Sequence, residues 1–501
     1  MPGQGGSRKV ARNALYNSAA WAGSVLIALL VTPYVVRKLG IEGYGVYALL
    51  TSVVGYYTLL DLGLGQGVTK FVAEFAAHGR TDAVASAIDA ALRVQVLVGL
   101  AAASVLMFFA DPLLHVIGVP GALWRDAKRG TYAVAAGFFF TMVAGTFSAA
   151  LMGLQRFDVT SRFSLLTNAV LNLTIVLLLH AGYGLKEAVY ATTGVALVLL
   201  VGYFVVLRVE LPAWRPSLRY DRAGFRTLFR FSGYAFLAKL APMFNGYIIR
   251  FVVGVMLGPA AVTFYVVPMR IISAIGGFLG SIAVVLFPFT SELAVAGGRN
   301  NLERLYVRAS RYLLAIAFPV YLVLMVFSFP VLSLWMGSNF ARQSAGVLSA
   351  LAAAYLVSAA TMVPGNMALG LGRSRLAALF AGGTLAVGLA SVFPLTTLLG
   401  VDGTALAVAA SQSVGLVFIS YVTVKVLRLG LVTYVRDVAG FHLIGVIPGL
   451  LCLFGAKHYL AGVPMWWLLL VGFGFVVTYY GALVVLDWVP VADVRKLIRR
   501  R

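Results

Sequence analysis

Three basic side chains, Lys239, Arg250 and Arg270, fall inside apolar stretches long enough to be membrane-buried helices. A charge near the bilayer centre costs roughly 2.5 to 3.5 kcal/mol even on the lenient insertion scale, so three of one sign call for a polar cavity or an anionic ligand. Lys239 and Arg250 are 11 residues apart, roughly 20° beyond three full turns, and so share one helix face. The turn Gly258-Pro259-Ala260-Ala261 follows Arg250 by eight residues and precedes Arg270 by nine. That puts both arginines at a similar depth, roughly 12 Å below the outer rim. Two readings fit: a cation-lined cavity, and arginines that reach rim water through their long stems. Asp61 is the one acid clearly within a span, near its inner end at about the depth of Lys239. An ion pair between them would lower the cost of both; an acid capping a helix end is the alternative.

Helices must carry these groups. The 501-residue chain is 61% hydrophobic and 11% charged, against about 25% charged for soluble domains, and reads as an all-α polytopic membrane protein. About 14 transmembrane helices are expected: Leu15 to Val36, Tyr44 to Leu64, Val94 to Ala110, Tyr132 to Leu154, Phe163 to Ala181, Ala188 to Leu207, Phe231 to Leu257, Val262 to Phe289, Tyr312 to Leu332, Ala345 to Leu369, Ala377 to Leu398, Thr404 to Val426, Val438 to Ala456 and Pro464 to Leu486.

The net charge of +22 reads as topology rather than nucleic-acid binding. With a cytoplasmic N-terminus, 28 Lys and Arg fall inside, counting Lys425 at the inner end of the twelfth span, 8 outside and three deeper within spans, out of 39. The positive-inside rule then places both termini in the cytoplasm. Arg8, Lys9 and Arg12 precede an apolar run longer than a signal-peptide core, so that run stays as the first span. The single Cys452 excludes an internal disulfide. The five histidines are scattered without metal-ligand spacing, and no metal or cofactor is expected.

Self-comparison finds a duplication. Leu39-Gly40 with Tyr47 recurs as Leu257-Gly258 with Tyr265, and Phe71 and Glu74 recur as Phe289 and Glu292, all 218 residues on. Gly153-Leu154 and Arg156 recur 217 on as Gly370-Leu371 and Arg373, and Gly184 recurs 219 on as Gly403. Six spans per repeat give two parallel six-helix lobes, with a substrate site at the repeat interface. The expected organisation is residues 1–207 as N-lobe (helices 1–6), 208–230 as a basic linker, 231–428 as C-lobe (helices 7–12), and 429–501 as helices 13–14 with a basic cytoplasmic tail. Arginines alternate with Trp214, Tyr220, Phe225 and Phe229 in the linker, which suits either an interfacial helix on anionic lipid or an orientation signal alone.

Asp61-Leu-Gly-Leu-Gly-Gln-Gly67 lacks Rossmann spacing and a P-loop lysine, so its glycines read as flexibility or close helix approach, as do Gly276 and Gly280. Pro33, Pro242, Pro268 and Pro288 fall in the first, seventh and eighth spans, where kinked helices point to a transport site.

Arg12-Asn13, Arg37-Lys-Leu-Gly40 before Tyr44-Gly45-Val46-Tyr47, Asp61-Leu-Gly63, Gly153-Leu-Gln-Arg156-Phe157 and Leu334-Trp335-Met-Gly337 resemble polysaccharide repeat-unit flippases. These are Wzx-type proteins of the multidrug, oligosaccharidyl-lipid and polysaccharide exporter superfamily. The resemblance covers essentially the whole chain. It implies two six-helix lobes around a central cavity and alternating access. It also implies transfer of a polyprenyl-diphosphate-linked oligosaccharide from the cytoplasmic to the outer leaflet, for O-antigen, exopolysaccharide or capsule, beside a polymerase and glycosyltransferases. In the related lipid II flippases, basic residues of the first, second and eighth spans line the cavity. Arg37 and Arg270 match two of these positions, while Gly65 and Gln66 stand at the third, with Lys70 nearest. Substrate binding is thus expected at Arg37, Arg270, Arg250, Lys239 and Asp61. The alternatives are a multidrug or cation antiporter, which needs buried carboxylates, and a membrane glycosyltransferase or polymerase. The outer-loop acids Glu42, Asp111, Asp126, Glu187 and Asp402 are scattered over short segments, against the paired carboxylates such chemistry uses, so no enzyme is expected.

Overall fold

A computed structural model of the chain describes residues 4–55, 60–61, 63–217, 248–284, 286, 290–291, 293, 299–440, 442 and 465–485. Every regular element among them is helical, as a bilayer demands of segments that must satisfy their own backbone groups. The chain divides into two compact units, Met1–Val267 and Pro268–Arg501.

In the first unit, α1 (Gln4–Gly55) turns back at Gly40, and α2 (Leu64–Ala77), α3 (Thr81–Phe108), the short α4 (Ala110–Val116), α5 (Trp124–Gly153), α6 (Phe157–His180), α7 (Leu185–Glu210) and α8 (Ile249–Leu257) follow. α5 is the central post, packed against α1, α2, α3 and α7. Its small residues permit this, since in lipid the association rests on close contact rather than hydrophobic drive. A Cβ on Gly153 would lie 2.7 Å from Val72 and 2.9 Å from the Thr69 carbonyl. Hydroxyls tie the same seams: Thr69 donates to Ala149 O at 3.0 Å and Thr193 to Ala133 O at 2.8 Å.

The second unit follows the same rule. α9 (Pro259–Ala283) crosses the division; α10 (Arg299–Val326), α11 (Ser328–Met336), α12 (Ser338–Gly370), α13 (Ser374–Tyr421) and α15 (Met465–Val485) lie beyond it, with a short α14 (Leu431–Tyr434) between π-helical turns. α12 is the post here, against α10, α11 and α13, and α15 packs on α10 and α11.

Nine helices among the described residues are long and apolar enough to cross a membrane. Two of them, Gly23–Gly55 and Arg375–Val426, each cover two expected spans, because the helix resumes directly after a single glycine at Gly40 (φ 75°, ψ 168°) and Gly400 (φ 59°, ψ −137°). The seventh and thirteenth expected spans lie mostly outside the described residues. Nearly the same turn as at Gly40 recurs at Gly258 (φ 82°, ψ 176°), a conformation that a Cβ strains. Other backbone features recur at the offset of the sequence matches. Positive φ appears at Gly118 and Gly337, Gln155 and Gly372, and Gly182 and Gly400, which are 219, 217 and 218 residues apart. Arg156 (φ −91°, ψ 49°) and Arg373 (φ −91°, ψ 50°) open their helices with almost the same dihedrals.

Two expectations need correction. Among the described residues Gly276 and Gly280 meet no forced approach: a Cβ would find its nearest neighbour at 3.7 Å in the first case and nothing within 4 Å in the second. The tight crossings sit elsewhere, at Gly45, where a Cβ would lie 1.8 Å from Pro259 O, and at Gly202 and Gly415. Trp214 does not face lipid. It is 4% exposed, packs edge-on against Phe147 and Phe204, and donates Nε1–H to Asp89 Oδ1 at 3.0 Å. The Ser217 amide donates to the same oxygen at 3.2 Å. The linker's first residues are therefore pinned to α3; the remainder lies outside the described residues.

Candidate functional site

Of the five expected binding residues, four are described, and Lys239 lies outside the described residues. Arg37 is exposed on α1, three residues before the Gly40 turn. Arg250 is half-buried on α8 and donates Nη1–H to Ser52 Oγ at 3.3 Å. This contact joins α8 to the second half of α1, two helix segments that each begin or end at one of the matched glycine turns. Beyond the Gly258 turn, Thr263 Oγ1 at the start of α9 donates to Ile41 O at 2.6 Å. Arg270 is half-buried on α9, in the second unit, two residues after Pro268.

Asp61 is 7% exposed and sits where the chain re-enters α2 through Gly63 in the left-handed region (φ 76°, ψ 4°). Its carbonyl accepts from the Leu64 amide at 2.8 Å, and its Oδ1 from the Gly65 amide at 3.1 Å. The acid therefore bonds a helix start, and its expected ion pair with Lys239 lies outside the described residues. Gln95 of α3 donates Nε2–H to the same Oδ1 at 2.7 Å. Thirty-four residues separate these partners, and nothing in the local sequence joins them. Gln95 is itself 2% exposed, and its Oε1 has no hydrogen-bond partner among the described residues.

Asp61 forms part of the wall of a cavity of about 640 Å³ within the first unit. Thr69 and Lys70 of α2, Thr141 and Ser148 of α5, and Tyr203 of α7 share that wall. Sequence reasoning singled out Asp61 and Lys70 but missed the hydroxyls, because a lone Ser or Thr in an apolar helix more often bonds the carbonyl one turn back, as Thr141 does to Gly137 O at 2.8 Å. At the mouth of α6, outside the spans, Arg156 bridges Asp158 and Glu210. Partial burial opposes the guanidinium's charge, but the two carboxylates outweigh it and hold the group above its ordinary pKa. A second cavity of about 490 Å³, in the second unit between α10, α11 and α15, is lined by apolar side chains such as Val323, Phe327 and Phe473. Among the described residues no group of three or more His, Cys, Asp or Glu could hold a metal ion.

Residues 10–294 match the family described as polysaccharide biosynthesis protein. A Shigella flexneri protein provisionally named an O-antigen transporter is 24% identical over 375 residues, covering 74% of this chain and 87% of that protein. The uncharacterized membrane protein EpsK of Bacillus subtilis (strain 168) is 25% identical over 356 residues, 70% of this chain and 69% of EpsK. Among solved structures, the lipid II flippase MurJ in its inward closed conformation has a TM-score of 0.75 at 13% identity, covering 97% of this chain and 100% of that one. An inward-facing multidrug resistance MATE family transporter of the MOP superfamily gives 0.66 at 15% identity, covering 83% and 99%. At these identities the two structures establish the fold.

Proposed function

The chain belongs to the polysaccharide biosynthesis protein family, and from that membership we propose that it is a flippase for polyprenyl-diphosphate-linked oligosaccharide repeat units. It carries them from the cytoplasmic to the outer leaflet of the inner membrane by alternating access, supplying surface polysaccharide synthesis. The matched backbone turns at offsets of 217 to 219 support two parallel six-helix lobes followed by helices 13 and 14. The 28-to-8 charge bias supports cytoplasmic termini.

The observation that carries the proposal is the placement of Arg250 and Arg270, half-buried in helices on either side of the Gly258 turn. Each costs roughly 2.5 to 3.5 kcal/mol as a charge at bilayer depth, and a diphosphate offsets that cost through two-pronged guanidinium hydrogen bonds. Arg37, exposed three residues before the Gly40 turn, holds the diphosphate with Arg250 and Arg270 during transit, and Lys239, 11 residues before Arg250 in the sequence, is a further cation. Asp61 serves the first-unit cavity. A cation antiporter would concentrate carboxylates instead, and Lys70 on the same cavity wall as Asp61 opposes that reading.

The test is complementation of a deletion strain. Arg270→Ala at normal membrane levels abolishes or severely reduces surface polysaccharide, with Arg270→Lys intermediate, since an ammonium is only a point charge. Full restoration by Arg270→Ala would make the arginine a rim anchor and dismiss the site.

A further inference from the structure

The first-unit cavity has a chemistry unlike that of the arginines, and we propose that it binds a neutral glycosyl residue of the carried lipid-linked oligosaccharide. This inference rests on the flippase reading and adds to it where the sugar goes.

Among the polar groups on the wall are one carboxylate, one ammonium and four hydroxyls: Asp61, Lys70, Thr69, Thr141, Ser148 and Tyr203. Among the described wall residues, one charge of each sign leaves no net attraction for a diphosphate. A lone cation is equally ill served, because the Lys70 ammonium repels it and about 640 Å³ far exceeds the shell of oxygens at about 2.3 to 2.6 Å that an ion such as calcium needs. The volume lies within the usual range for small organic ligands. A sugar ring offers hydroxyls that both donate and accept. A carboxylate oxygen, an ammonium and protein hydroxyls are the complementary set. Between these polar groups the wall is apolar, with Met152 and Leu199, against which the C–H face of a sugar ring can pack.

The carboxylate is also held in place. The Gly65 amide and Gln95 Nε2 both bond Asp61 Oδ1, which fixes its rotation from two different helices. Gln95 leaves its own Oε1 buried without a partner among the described residues to do so, a stability cost that folded cores usually avoid. Such fixed placement lowers the ordering cost of binding a hydroxylated ligand.

The experiment uses the purified full-length protein in detergent and two probes: a short polyprenyl diphosphate carrying one N-acetylhexosamine, and the same lipid diphosphate without sugar. The unmodified protein binds the sugar-bearing probe about tenfold tighter, the low end of the worth of one charge-assisted hydrogen bond. Asp61→Asn and Thr141→Leu each erase that preference and leave affinity for the sugar-free probe unchanged. Arg250→Ala weakens both probes by the same factor. Equal binding of the two probes by the unmodified protein overturns the sugar site while leaving the flippase reading intact, and so do cavity variants that weaken both probes equally. Sodium that displaces the sugar-bearing probe at constant ionic strength assigns the cavity to a cation and overturns the proposal. Failure of both probes to bind the unmodified protein defeats the flippase reading itself, and the sugar site with it.

Discussion

Substituting Gly45 by alanine tests the seam between the second half of α1 and the start of α9. The new Cβ would lie 1.8 Å from Pro259 O, 2.5 Å from its carbonyl carbon and 3.0 Å from Thr263 Oγ1. The first two are backbone atoms, so no side chain can swing away. Reaching the 3.0 Å below which real Cβ contacts essentially never fall requires a separation of 3.0 − 1.8 = 1.2 Å. The Thr263-to-Ile41 hydrogen bond, 2.6 Å long, stretches to about 3.8 Å if it follows, beyond bonding range. Overpacking of this kind costs about 1 to 3 kcal/mol, and an interhelical hydrogen bond in lipid adds about 0.6, so the loss is about 1.5 to 3.5 kcal/mol. The nearest atoms to a Cβ on Gly254 are side-chain atoms of Leu49, at 2.8 Å and beyond, and among the described residues a Cβ on Gly280 meets nothing within 4 Å. Equilibrium unfolding in mixed micelles therefore ranks Gly45→Ala as the most destabilised, Gly254→Ala next, and Gly280→Ala as neutral or slightly stabilised. Equal stability of Gly45→Ala and Gly280→Ala would refute the close approach.

Trp214→Phe keeps the aromatic packing but removes the N–H bonded to Asp89, a loss of about 1.5 to 3 kcal/mol for a bond to a carboxylate. Trypsin cleavage at the following linker arginines accelerates in the variant, and an unchanged rate would mean the linker is held elsewhere. Cysteine probes at Ser217 and Arg499 label only from the cytoplasm and one at Gly121 only from outside, as the charge bias requires; outside labelling of Ser217 contradicts the proposed orientation.

How far the sequence could be read depended on the range of the interaction. Apolar runs revealed the spans because burial in lipid is a sum over consecutive residues, and the glycines of the Gly40 and Gly258 turns stood out because their backbone excludes a Cβ. The repeat offset was visible at Gly153 and Arg156 because a turn of fixed dihedrals restricts its own residues. What the sequence did not show is that the helix resumes directly after a single glycine at Gly40 and Gly400, so that each pair of expected spans forms one helix with a turn in it. The Asp61–Gln95 bond, the Gly45–Pro259 crossing and the hydroxyl-lined cavity join residues from separate helices, and no local pattern encodes such a meeting. Trp214 misled for the same reason: its indole suits a lipid surface in isolation, and its burial is decided by Phe147, Phe204 and Asp89. The proposed pairing of Asp61 with Lys239 lies outside the described residues.

The most direct test of the central claim is transport itself. Purified protein is reconstituted into liposomes with a fluorescent polyprenyl-diphosphate oligosaccharide in one leaflet, and the fraction crossing is read by a membrane-impermeant quencher or glycosidase. The unmodified protein moves the lipid-linked sugar well above protein-free liposomes, and Arg250→Ala and Arg270→Ala fall towards that background while reconstituting equally. Movement no faster than in protein-free liposomes, or movement at full rate in both arginine variants, would contradict the account.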